Sequence, residues 1–260
     1  MTKINHTPDE MMTIAAAREL KDGQICFVGI GLPSAAANLA RLSHAPEIVL
    51  IYESGTLDTK PDILPLSIGD PELSESALTN ESVPEMFRFW LQGGHINLGF
   101  LGGAQIDRFA NINSTVIGNY SEPKVRLPGA GGAPEIATHC GEIFVIIRQS
   151  KRSFVEKVDF ITSFGHGDGK NHRKRLGIDT KGPTKIITDL CIMEPEPDSF
   201  ELIVTSIHSG VSREEISQST GWEIRFANNI NTTKTPSKIE LDALRALQNR
   251  SLEATFLSKN

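Results

Sequence analysis

Aromatic residues and cysteine are scarce in this sequence, and basic charge is in deficit. Phe, Trp and Tyr supply 6% of 260 residues, and there are three cysteines. Cys26, Cys140 and Cys191 are odd in number, widely spaced and free of any C-x-x-C pair, which argues against a disulfide framework. Ile25 and Phe27 flank the first and Leu190 and Ile192 the last, so the thiols read as small buried hydrophobes rather than nucleophiles. The seven histidines stand singly and never fall at a zinc-ligand spacing with cysteine, so no metal site is expected. Lys and Arg number 26 against 32 Asp and Glu, a formal net charge of -6, which lacks the basic surplus with which nucleic-acid binders displace counterions. The only basic run, Lys170 to Arg175, reads as a solvated loop. No apolar window of roughly 18 residues exists, and residues 1–10 lack the basic-then-apolar layout of a signal peptide. Neither a nucleic-acid nor a membrane partner is expected, and the chain reads as cytoplasmic.

What is present is a repeated strand, glycine turn and helix. Thr7-Pro8-Asp9-Glu10 is a capping-box start for a helix through Met11, Ile14, Ala15 and Leu20, stopped at Lys21-Asp22-Gly23. Residues 24–30 form a short apolar run, followed by Gly31-Leu32-Pro33-Ser34 and a small-residue helix over 35–42. Residues 47–51 are a buried strand that delivers Tyr52-Glu53-Ser54-Gly55. Val83-Pro84-Glu85 opens a helix ending at Gly93-Gly94, and residues 96–101 are another strand. Pro134-Glu135 starts a short helix towards His139. Residues 143–147, 184–188 and 200–207 read as strands, Ser212-Arg213-Glu214-Glu215 as a second capping box, and residues 236–252 as an amphipathic terminal helix. This order predicts an α/β fold with an open, mostly parallel sheet flanked by helices, and function at the carboxyl ends of the strands. No repeat or linker is visible, so residues 1–260 read as a single domain.

Glu53 is a carboxylate at the carboxyl end of a buried strand, where Gly55 lets the backbone turn away. An exposed loop glutamate is the plainer alternative. Gly129-Ala130-Gly131-Gly132 leaves backbone N–H groups accessible to an anion or oxyanion, and also suits a simple tight turn. Gly29-Ile30-Gly31 carries the same two readings. No G-x-S-x-G elbow, P-loop, G-x-G-x-x-G fingerprint or Ser/His/Asp set is present.

Phe27-Val28-Gly29-Ile30-Gly31-Leu32-Pro33, Tyr52-Glu53-Ser54-Gly55, the stretch from Gly93 to Asp107, and Gly129-Ala130-Gly131-Gly132-Ala133 together resemble the β subunit of class I coenzyme A transferases in order and spacing. Leu127 to Glu135 and Ile187 to Pro195 point to the glutaconate CoA-transferase-like branch. The resemblance runs from residue 9 to at least Trp222. One departure is Tyr-Glu-Ser-Gly where the succinate- and acetoacetate-using branch has Ser-Glu-Asn-Gly.

The resemblance implies the CoA-transferase fold, shared with sugar-phosphate isomerases, and makes Glu53 the catalytic nucleophile. Gly131 and Gly132, with Gly29 and Gly31, become oxyanion or CoA-binding positions. A CoA thioester is then the substrate and no permanently bound cofactor is needed. The expected reaction moves CoA from succinyl-CoA to a dicarboxylic acid such as 3-oxoadipate, in aromatic-compound catabolism. Fused family members carry two halves and this chain matches only the second, so an α subunit is the expected partner, as a heterodimer or α2β2. Glutaconate as acceptor, a CoA-thioester hydrolase on the same scaffold, and a non-catalytic phosphosugar sensor are the rival readings. His166 reads as a surface loop histidine in a glycine-rich segment. Lys170 to Arg175 could approach phosphate or carboxylate groups, below the solvated-loop reading. Gln105 and Asn111 are either polar liners or buried structural amides.

Overall fold

In the computed structural model, which describes residues 5–257, the first helix starts at its sequence signal. Helix α1 (Pro8–Glu19) is capped reciprocally: the Glu10 amide donates to the Thr7 hydroxyl at 3.2 Å and the Thr7 amide donates to the Glu10 carboxylate at 2.7 Å. Residues 10–17 are all buried, so α1 is enclosed rather than half-solvated. Strand β1 (Ile25–Phe27), helix α2 (Leu32–Arg41) and strand β2 (Val49–Ile51) follow in the expected order. β1 and β2 run parallel with Phe27 opposite Ile51. Ala35, Ala36, Ala37 and Ala40 of α2 are buried, and their small side chains allow close packing against α1.

Beyond β2 lie strand β3 (Thr56–Leu57), helix α3 (Pro71–Glu75) and strand β4 (Thr79–Asn80), the two strands adding antiparallel pairs. Helix α4 (Val83–Glu85) opens on a Ser82–Glu85 capping box and continues as a π-helical segment, Met86–Leu91, where an ordinary helix is expected. Strand β5 (Leu98–Leu101) returns parallel to β1, with Leu98 opposite Cys26. The C-terminal helix spans Lys238–Leu257 rather than 236–252. It starts later than Pro236 because Ser237 is the cap: the Glu240 amide donates to its hydroxyl and its own amide donates to the Glu240 carboxylate at 2.8 Å. Leu241, Leu244 and Leu247 are buried, and two ion pairs join this helix to α1, Arg18–Glu240 at 2.7 Å and Arg245–Glu10 at 2.6 Å. The Arg18 guanidinium holds the Glu240 carboxyl down to about 2.

These elements form one compact unit, residues up to 100 with those from 235 onward; residues 101–234 form a second. No composition shift marks either junction, which is why the sequence reads as a single domain. The second unit begins with two small antiparallel pairs, β6 (Gln105–Ile106) with β7 (Ile112–Asn113) and β8 (Val116–Gly118) with β9 (Pro123–Arg126). Helix α5 (Ala133–His139) leads into strand β10 (Glu142–Ile146), and the short helix α6 (His172–Arg175) precedes strand β11 (Pro183–Ile187), which is parallel to β10.

Strand β12 (Cys191–Pro195) is antiparallel to β11 and to β13 (Leu202–His208). The hairpin between β11 and β12 is fixed by the Thr188 hydroxyl, which accepts from the amides of Leu190 and Cys191 at 3.0 and 2.9 Å. β13 starts at Leu202, not at residue 200, because Phe200 has φ 60° and breaks the extended chain. Helix α7 (Arg213–Gln218) uses half of the expected box, the Ser212 hydroxyl accepting from the Glu215 amide at 3.1 Å. Strand β14 (Arg225–Thr233), which the polar run Ala227 to Thr233 conceals in the sequence, pairs parallel to β13. The class is the expected α/β: strands of the first unit pair parallel through β5, β1 and β2, and those of the second at β10–β11 and β13–β14. Antiparallel strands enter where hairpins replace crossovers.

Candidate active site

At the carboxyl end of β2 the chain turns over Tyr52-Glu53-Ser54-Gly55, with the Gly55 amide donating to the Tyr52 carbonyl at 3.0 Å. This turn demands glycine. Gly55 has φ 103°, and a Cβ on it would stand 1.9 Å from the Glu81 carbonyl oxygen. Tyr52 is fully buried, with its Oη 2.7 Å from Ser34 Oγ in the first turn of α2. Asn38 Nδ2 donates to the Ser34 carbonyl at 3.0 Å and steadies that turn. Burial pushes the Tyr52 phenol up to about 12, so it stays neutral.

Glu53 is half-buried, and burial alone raises its carboxyl above the ordinary value of 4.5. No described residue donates a hydrogen bond to it. The neighbouring Ser54 hydroxyl is buried and without a partner among the described residues. Both are signs of a site whose polar groups are not consumed by the fold. Because Phe27 lies opposite Ile51, Gly29 and Glu53 each stand two residues beyond a matched pair on adjacent parallel strands. Strands so paired run about 4.8 Å apart. The Gly29–Gly31 turn and the Glu53 turn therefore leave neighbouring strands at the same edge of the sheet. Gly31, with φ 87° and ψ -129°, is the N-cap of α2, and no side chain caps that end. The first-turn amides are left at the positive end of the helix dipole.

Gly131 and Gly132 stand in the second unit. Gly131 has φ 50° and Gly132 is the N-cap of α5, also without a side-chain cap. Ser114 anchors the loop, its carbonyl accepting from the Gly129 amide at 2.9 Å and its hydroxyl donating to the Gly129 carbonyl at 2.8 Å.

Several other candidates prove to be structural. Gln105 Nε2 donates to Asp159, and its Oε1 accepts from Asn113 and the Asp159 amide. Asn111 donates to Asp107 and to the Gly167 carbonyl, and accepts from the amides of Gly165 and Gly167. Both are satisfied amides that hold loops together. His166 is not a surface loop histidine: it is 2% exposed, its Nε2 donates to the Pro183 carbonyl at 2.8 Å, and burial lowers its pKa to about 4. Within the basic run Lys170, Lys174 and Arg175 are exposed, but Arg173 is buried, which corrects the solvated-loop reading at that position. Cys26, Cys140 and Cys191 are buried and in no disulfide; burial raises the latter two, Cys191 to about 12, so neither is a thiolate nucleophile at neutral pH. The Tyr52–Ser34 contact and the unpartnered Ser54 hydroxyl have no signal in the sequence, because both depend on where α2 lands.

A half-buried carboxylate at the carboxyl edge of parallel strands is where α/β folds place ligand-binding groups, and comparison with known proteins gives the family. The profile of the coenzyme A transferases matches residues 9–219, and the chain belongs to that family. It is 62% identical over 249 residues to the B subunit of the 3-oxoadipate CoA-transferase of Pseudomonas knackmussii, covering 96% of both chains. It is 36% identical to the B subunit of the glutaconate CoA-transferase of Acidaminococcus fermentans, covering 85% of this chain and 84% of the relative. The crystal structure of glutaconate coenzyme A-transferase from Acidaminococcus fermentans superposes with a TM-score of 0.87 at 32% identity, over 93% of this chain and 94% of that one.

Proposed function

We propose that the chain is the β subunit of an enzyme that moves CoA from succinyl-CoA to 3-oxoadipate in aromatic-compound catabolism, with Glu53 as nucleophile and an α subunit as obligatory partner. The observation that carries the reading is the half-buried Glu53 carboxylate, raised by desolvation and free of donors among the described residues, at the carboxyl end of a strand paired parallel to the one that enters the Gly29–Gly31 turn. The 62% identity over nearly the whole chain to a 3-oxoadipate CoA-transferase subunit supports the acceptor.

A carboxylate stripped of hydrogen bonds is a better nucleophile than a solvated one and needs no separate base. Glu53 attacks the thioester carbonyl; the C–S bond breaks, giving a mixed anhydride and CoA thiolate. The thiolate attacks the glutamyl carbonyl, releasing succinate and leaving a glutamyl-CoA thioester. The acceptor carboxylate then runs both steps backwards, so the thioester free energy is conserved. Each attack creates a tetrahedral oxyanion, for which the backbone amides that follow Gly31 are suitable donors; losing one such donor typically costs about 100- to 1000-fold in rate. Both intermediates hydrolyse, so the site must exclude water, and the α subunit is the element that closes it.

The test is to incubate the chain and its α subunit with succinyl-CoA and search the Glu53 peptide by mass spectrometry for the CoA adduct or its borohydride-reduced alcohol. The adduct is expected, and discharge by 3-oxoadipate should outrun discharge by glutaconate or acetate. A folded complex that never carries label on Glu53 overturns the reading.

A further inference from the structure

Arg173 carries a buried positive charge with no carboxylate of a described residue against it. Its five N–H groups go to the carbonyls of Thr180, Phe164, Gly165 and Ala137 and to the Thr180 hydroxyl, at 2.7 to 3.3 Å. Carbonyls satisfy the donors but leave the charge uncompensated. Burial correspondingly lowers its pKa to about 10. Beside it lies a cavity of about 420 Å³, within the range of small-molecule sites. Lys170, Lys174 and Lys181 line it. Lys170 and Lys174 make no ion pair with any described residue, and Lys181 is only loosely matched to Glu142 at 3.8 Å. Asp179 is the acidic residue of the lining, so the positive charges prevail.

The rest of the wall adds a second kind of information. Ile178, Pro195 and Phe200 supply apolar surface, and His166 lines the cavity as well. With its Nε2–H committed to the Pro183 carbonyl, the neutral imidazole keeps an acceptor at Nδ1 that no described residue fills. A bare inorganic anion would use the lysines only. A ligand that fits the whole wall has an anionic group, a carbon body and a hydroxyl donor. Lysines act as point charges suited to phosphate rather than as forks for planar carboxylates.

The position separates this cavity from the reacting end of its own unit. Pro183 and Thr184 begin β11, and Glu142 begins the parallel strand β10, so the cavity opens at the amino edge of these strands. The C-terminal turn of α5 reaches it through Ala137, while Gly131 and Gly132 precede the opposite end of that helix. We infer that this cavity is a binding site for a small hydroxylated organic phosphate.

The experiment is isothermal titration of the complex with its α subunit, using 3-phosphoglycerate, inorganic pyrophosphate and citrate as probes. Saturable binding of 3-phosphoglycerate, one per chain, is expected, with pyrophosphate and citrate at least several-fold weaker. Lys170→Glu combined with Lys174→Glu, both at exposed positions, should weaken it at least tenfold, whereas Lys151→Glu on the same unit and Glu53→Gln should leave it within twofold. Absence of saturable binding overturns the site. Equal weakening by Lys151→Glu reduces it to general surface charge and overturns it too, as does tighter binding of pyrophosphate or citrate. Because Glu53→Gln is silent here, failure of this site and failure of the nucleophile assignment are read separately.

Discussion

Tyr52 Oη and Ser34 Oγ meet at 2.7 Å inside the first unit, and this one contact ties the residue before Glu53 to the first turn of α2. The carboxylate and the uncapped helix end are thereby held in register by a buried hydroxyl pair. Tyr52→Phe keeps the ring and strands the Ser34 hydroxyl, at a cost of about 1–2 kcal/mol. Thermal unfolding should show the loss, and kcat should fall more than KM changes. An unaltered melting temperature together with an unaltered kcat would show the pair to be idle.

Glu53→Gln should abolish transfer and, at pH 7, stabilise the protein. The native carboxyl has a raised pKa, so between the ordinary value of 4.5 and the native value the folded state binds more protons than the unfolded one. Stability therefore falls as pH rises through that window, and at neutral pH the fold carries a desolvated charge that glutamine lacks. Urea midpoints should favour the variant at pH 7 and converge with the wild type below about pH 4. The acid limb of the wild-type rate profile should lie above the usual carboxylate range.

His166 acts in the opposite sense. Its pKa falls from 6.5 to about 4 on folding, so the unfolded state binds more protons between those values. The stability is whole above pH 6.5 and is lost as pH falls towards 4, up to about 3 kcal/mol. His166→Gln should flatten the pH dependence of the urea midpoint over that interval; an undiminished slope would assign the acid sensitivity elsewhere.

Two glycines with positive φ should respond differently to alanine. Gly31 has open space around its Cβ position, so Gly31→Ala meets only backbone strain, on the order of 1 kcal/mol. Gly55→Ala adds collision with the Glu81 carbonyl and should cost more than about 3 kcal/mol. Chemical denaturation of the two variants side by side checks the order, and Gly55→Ala should also lose activity because the Glu53 turn cannot close.

Local signals were legible wherever they were both polar and short-range. Thr7 with Glu10 marks a helix start by its capping box and Pro134 with Glu135 one by a first-turn proline, and the structure has both, because each signal is decided within four residues. The carboxyl end of β2 was legible too, as a continuous apolar run meeting Glu53. The π-helical Met86–Leu91 was not, since its hydrogen-bond shift leaves no trace in residue types. β14 was also hidden, because its run of Asn and Thr is paired by a neighbouring strand rather than by its own apolar pattern.

By itself the sequence determined the strand and helix order, the glycines at its turns and the carboxylate after β2, because periodicity, caps and positive-φ positions are properties of neighbouring residues. Tertiary structure alone decided which polar groups are left without partners. Among the described residues nothing hydrogen-bonds the Glu53 or Ser54 side chain, whereas Gln105 and Asn111 are consumed by loops far along the chain. Arg173 and His166, adjacent to exposed lysines and glycines in sequence, become buried because carbonyls brought from residues 137 to 183 surround them. Burial and partner choice depend on segments distant in sequence, and those are set only when the chain has packed.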